Sequence, residues 1–129
     1  MNKAIERALE EAREDRAQGR TDDAERAYTR AAELARSHKD PVVLAHALRH
    51  VSDLARQRGA SSEAWERASE AVELYRKIGD RLGLANAIRL EALCATSPDL
   101  AKRCWREARD LYSSLNVIAG VKECDSNLS

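Results

Sequence analysis

The chain has 129 residues, enough for one modest hydrophobic core, and its 22 Lys+Arg against 22 Asp+Glu give a formal net charge of zero. That balance lacks the basic excess with which a nucleic-acid binder neutralises phosphates, so nucleic acid is not an expected partner. No window approaches the ~20 apolar residues of a membrane span, and the opening MNKAIERALEEARED holds no apolar run of a secretory signal, so a cytoplasmic protein with free thiols is expected.

There is no Phe and there are 23 alanines, a composition that favours helices over strands. Abundant alanine also suits helices that cross closely. The first segment is predicted over about 3–18 and stops at Gly19. Thr21 then heads a segment over 22–37. Asp40 followed by Pro41 opens a third segment, 41–58, which ends at Gly59; Ser61 opens a fourth, 62–77, which ends at Gly79. Asp80 heads 81–95, Ser97 with Pro98 heads 98–114, and a final segment covers 117–127. Such short connections make consecutive helices antiparallel neighbours.

The chain repeats itself. Residues 40–49, DPVVLAHALR, align with 80–89, DRLGLANAIR, and Glu33-Leu34 aligns with Glu73-Leu74, both at an offset of 40. Asp110-Leu111-Tyr112 follows Glu73-Leu74-Tyr75 at an offset of 37, a shortfall that fits a shorter turn at residues 95–98. A period of this size built from two helices marks an α-solenoid. Ala24, Ala64 and Ala101 fall where the helices of a pair would touch, and Leu44, Leu48, Val51 and Ala55 form an apolar stripe matched by Leu84, Ile88, Ala92 and Ala95.

Residues Gly19, Ala24, Tyr28, Ala31 and Leu34 have the spacing of the second half of a tetratricopeptide repeat, which this chain resembles over nearly its whole length. A second copy keeps Gly59, Ala64, Ala68, Ala71 and Leu74, and a third keeps Ala101, Trp105, Ala108 and Leu111 without the glycine. Ala12, Ser52 and Ala92 stand where the family wants a small residue in the first helix of each pair, and the proline that often ends a repeat is absent. The resemblance implies one all-α domain, a right-handed α-solenoid. Its three antiparallel helix pairs would cover about 3–37, 41–77 and 81–114, with a capping helix at about 117–127. It also implies a protein-interaction module, not an enzyme, that holds a protein or peptide segment in a concave groove. No cofactor is implied.

The groove would be lined by the first helix of each pair. Arg13, His46, Arg49, His50, Asp53, Arg56, Asn86 and Arg89 fall on that face at helical spacing. The guanidinium fork grips carboxylates through two hydrogen bonds, so an acidic or C-terminal segment is the expected ligand, with Arg49 and Arg89 as main contacts. Some members of the family hold a chaperone's acidic tail with Lys, Asn and Arg residues; the matching places here carry Leu9, Arg13, His50, Asn86 and Leu90, so that ligand is not expected. His46, His50 and Asp53 have a spacing that zinc could use, but no fourth ligand is near in sequence and the HExxH motif is absent, so no metal is expected. Cys94, Cys104 and Cys124 read as small core hydrophobes, Trp105 as core, and Trp65 as either an edge residue or an interface anchor. The last segment has an apolar side, Val117, Ile118, Val121 and Cys124; the alternative function is therefore self-assembly through that helix.

Overall fold

The helix boundaries follow from one corner used repeatedly. In the computed structural model, which describes residues 2–129, the residues Arg20, Asp40, Ala60, Asp80 and Val117 each close one helix and open the next. Each donates its N–H to the carbonyl five residues back, at 2.8, 2.9, 2.9, 3.3 and 2.9 Å. The carbonyl of each accepts from the N–H four residues ahead. The residue just before each is left-handed: Gly19, Lys39, Gly59, Gly79 and Asn116, with φ between 53° and 88°. Glycine meets that requirement without strain; Lys39 and Asn116 do so at a cost, so the sequence does not reveal the left-handed residue at those two corners.

There are seven helices among the described residues, α1 (Lys3–Ala17), α2 (Thr21–Ser37), α3 (Pro41–Gln57), α4 (Ser61–Ile78), α5 (Arg81–Cys94), α6 (Pro98–Ser114) and α7 (Ile118–Leu128), delimited by these corners and the α5–α6 connection. No strand occurs among the described residues. Asp40, Asp80 and Ser97 cap their helices as expected, accepting from the N–H groups of Val43, Gly83 and Leu100 at 3.1, 2.8 and 3.2 Å. Asn2 does the same for α1. Thr21 and Ser61 do not cap. The corner already places Arg20 and Ala60 at the cap, so these hydroxyl residues fall one position inside the helix. The α5–α6 connection differs, with Ala95 extended and no left-handed residue.

Each helix packs against its neighbours in chain order, and α3 also touches α5, an arrangement consistent with a helical repeat. Alanines make close crossing possible: Ala24, Ala31, Ala35, Ala64, Ala68, Ala71 and Ala108 are completely buried. Ala101, expected at such a crossing, is only partly buried. Ser52 ties α3 to α4 by donating its hydroxyl to the carbonyl of Ala64 at 2.7 Å. Two tyrosines lie on helical glycines. A Cβ on Gly83 would meet the Tyr75 ring at 2.4 Å, and one on Gly120 would meet Tyr112 at 2.5 Å. The corresponding pair one repeat earlier is Ala35 with Val43, both buried, so bulk has moved from one helix to the other. Ion pairs Arg36–Glu70 and Arg76–Glu107, each 2.7 Å, link the even-numbered helices at matching positions. No helix among the described residues is long and apolar enough to cross a membrane.

Candidate functional site

The odd-numbered helices place their polar faces side by side, and a groove runs across α1, α3 and α5. One end, about 370 Å³, is lined by Leu9 and Arg13 from α1, Val42, Val43, His46 and Arg49 from α3, and Leu82, Gly83 and Asn86 from α5, with Tyr75 and Asp80 at its edge. The other end, about 260 Å³, is lined by Arg16, Arg49, His50, Asp53, Asn86, Arg89 and Leu90. Arg49 and Asn86 belong to both ends. The groove therefore gathers seven of the eight residues expected from sequence; Arg56 lies beside it, bound to Asp53.

Much of the polar lining is committed to the fold. Asp53 accepts from Arg16 of α1, from Arg56 Nη2 at 2.8 Å and from Gln57 Nε2 at 3.3 Å. Burial pushes its carboxyl up, but the hydrogen bonds from Arg56 and Arg16 outweigh that and hold it below the usual carboxylate range. Arg16 Nη1 also donates to His50 Nδ1 at 2.8 Å, which places the imidazole proton on Nε2, since a guanidinium cannot accept. The His50 ring stacks on Tyr28 of α2 with centroids 4.4 Å apart, and His46 meets it edge-on at 4.7 Å. Burial, reinforced by His46, Arg49 and Arg16, drives the His50 pKa down to about 3. Burial and the cations Arg49 and Arg13 lower that of His46 as well. Both rings are therefore neutral at pH 7, and they serve as packing and acceptor groups.

Arg89 is also engaged. Its Nε and Nη2 grip Glu123 of α7 at 2.5 and 2.9 Å, a bidentate pair that lowers the glutamate's pKa. Asn86 Oδ1 accepts from the Tyr112 hydroxyl at 2.7 Å. Arg13 and Arg49 differ from the rest. Neither has an acidic partner among the described residues, and Arg49 Nε is buried with no acceptor. Arg56 Nε is buried in the same way, but Arg56 keeps an acid on Nη2, so Arg49 is the guanidinium of this pair that is left without a carboxylate. Beside these cations Val42 and Leu82 are 58% and 46% exposed, an apolar rim at equivalent positions of α3 and α5.

Val42, Leu82, Tyr28, Tyr112 and Glu123 were not expected at the site from the sequence. The first two could have been found, since they align in the repeated segments 40–49 and 80–89. Glu123 could have been found as well, since the offset of 37 set by the shorter turn at residues 95–98 takes Asn86 to it. Outside the groove, Cys94, Cys104 and Cys124 are all buried free thiols, and burial pushes Cys104 up to about 11, far from a reactive thiolate. Trp105 is buried, and Trp65 is half-buried against the core. No protein-family model and no curated protein matches the chain.

Proposed function

We propose that the chain is a protein-interaction module of the tetratricopeptide-repeat kind, which binds an extended acidic segment of another protein in the groove across α1, α3 and α5. In this reading α1–α2, α3–α4 and α5–α6 are the repeat pairs of a right-handed superhelix, and α7 is its cap. One observation carries the proposal: Arg13 and Arg49 are held in no ion pair among the described residues and stand beside an exposed apolar rim, whereas Arg16, Arg56 and Arg89 are paired with Asp53 and Glu123. Surplus positive charge next to Val42 and Leu82 fits a segment in which acidic and apolar side chains alternate. The neutral histidines and the buried thiols lend no support to a catalytic reading.

Capture of partners from cell extract by the wild type and by the double variant Arg13→Gln/Arg49→Gln tests this reading. Neither arginine holds an ion pair, so the variant keeps its helicity and loses the partner. A partner retained in full by the folded variant contradicts the groove assignment. Ile118, 67% exposed on α7, favours self-assembly as a second reading. Light scattering tests it, with a monomer at all concentrations as the result that removes it.

A further inference from the structure

The ion pairs between odd-numbered helices follow a register, and the step that begins at Arg49 lacks its acid. Arg16 reaches Asp53, 37 positions on, in the next odd-numbered helix. Arg89 reaches Glu123, 34 positions on, the difference of three being the shorter α5–α6 connection. Thirty-seven positions on from Arg49 stands Asn86, which lines both ends of the groove with it. Arg49 and Arg89 occupy the same place in α3 and α5, and Asn86 and Glu123 the same place in α5 and α7. Where the last step has a carboxylate, the Arg49 step has a neutral amide, whose oxygen is already taken by Tyr112. The Arg49 guanidinium, which lacks its acid, also has a buried Nε with no acceptor, a feature it shares with Arg56, whose Nη2 is held by Asp53.

We propose that Arg49 and Asn86 form a carboxylate subsite, which one carboxylate of the bound segment completes in the way that Glu123 completes Arg89. The proposal rests on the groove being the binding surface and narrows its ligand. The anion is single, since the neighbouring Arg89 is already occupied. Val42 and Leu82 take the apolar side chains that flank it. The carboxylate comes from a glutamate or aspartate side chain or from a chain terminus.

The test follows the side-chain Nε–H resonances of Arg49 and Arg89 by NMR. In N86E the introduced carboxylate supplies the missing partner, so the Arg49 resonance moves toward that of Arg89, while N86Q leaves it in place. An Arg49 resonance unmoved in N86E overturns the proposal without any ligand being needed. Three peptides are then titrated: acetyl-Leu-Glu-Leu-amide, its glutamine counterpart, and acetyl-Leu-Leu with a free C-terminus. The glutamate peptide shifts Arg49 and the backbone amides near Val42 and Leu82, and it binds N86E and R49Q at least tenfold more weakly. A response to acetyl-Leu-Leu in place of the glutamate peptide also supports the subsite and assigns it to a terminus. Equal binding of the glutamine peptide overturns the subsite and leaves the groove reading standing. No groove resonance moving with any peptide overturns both.

Discussion

Tyr75 over Gly83 and Tyr112 over Gly120 are the same solution to one packing problem that Ala35 and Val43 solve in reverse. Volume is conserved while the large residue changes helix, as close-packed cores require. Gly83→Val alone therefore costs about 1–3 kcal/mol by collision with the ring. Tyr75→Ala alone costs about 3–5 kcal/mol by leaving a cavity. The pair together recovers part of the sum, because it recreates the Ala35–Val43 arrangement; urea denaturation of the four proteins measures it, and strict additivity would refute the exchange. His50 provides a second residue-scale prediction. It faces Arg16 from α1, Tyr28 from α2, and His46, Arg49 and Asp53 on its own helix. Its folded pKa of about 3 lies below the unfolded value, so the unfolded chain binds the proton more readily. Stability is full above about pH 6.5 and falls by about 1.4 kcal/mol per pH unit toward pH 3 from this group. Urea midpoints between pH 7 and 4 follow that slope in the wild type and flatten in His50→Gln; identical slopes would show that His50 does not drive the effect.

At the scale of elements, the helix boundaries were legible in the sequence, but the left-handed residues of two corners were not. The α2–α3 corner turns on Lys39 and the α6–α7 corner on Asn116, residues whose left-handed backbone is imposed by the hydrogen bond that closes the corner. The expected caps Thr21 and Ser61 failed for the same reason: position in the corner, set by that bond, outranks side-chain preference. The alanine positions were legible because period and size act together, and Ala24 and Ala64 are fully buried. Ala64→Leu should therefore destabilise by about 1–3 kcal/mol. It also disturbs the Ser52 hydrogen bond to its carbonyl. An unchanged melting temperature would contradict the crossing. The groove's face was legible from helical spacing, but its pairing was not, since Arg49 and Arg89 are equivalent in sequence and opposite in state. Glu123→Gln removes the contact that joins α7 to α5, and amide exchange in α7 should quicken while that in α3 does not. Uniform quickening would mean that α7 is no separate element.

Across the whole molecule, charge marks the two ends of the stack. On α1, Lys3, Arg7, Glu10 and Glu14 are exposed at the places where α3 has Val43, Ala47, His50 and Leu54. On α7, Asp125 stands where α3 and α5 have Leu48 and Ile88, and it pairs with Arg109. Stacked helices need such polar outer faces to stay in solution. The net charge of zero is a sum over the whole chain, within which Arg13 and Arg49 are groove cations held in no ion pair among the described residues. The central claim is that this local surplus selects an acidic segment. The most direct measurement is selection of binders from a random peptide display library on the wild type, followed by affinity determination against Arg13→Gln/Arg49→Gln. The account predicts enriched peptides that carry an acidic residue between apolar ones and lose at least tenfold in affinity for the variant. Enriched peptides without acids, or with equal affinity for both proteins, would contradict it.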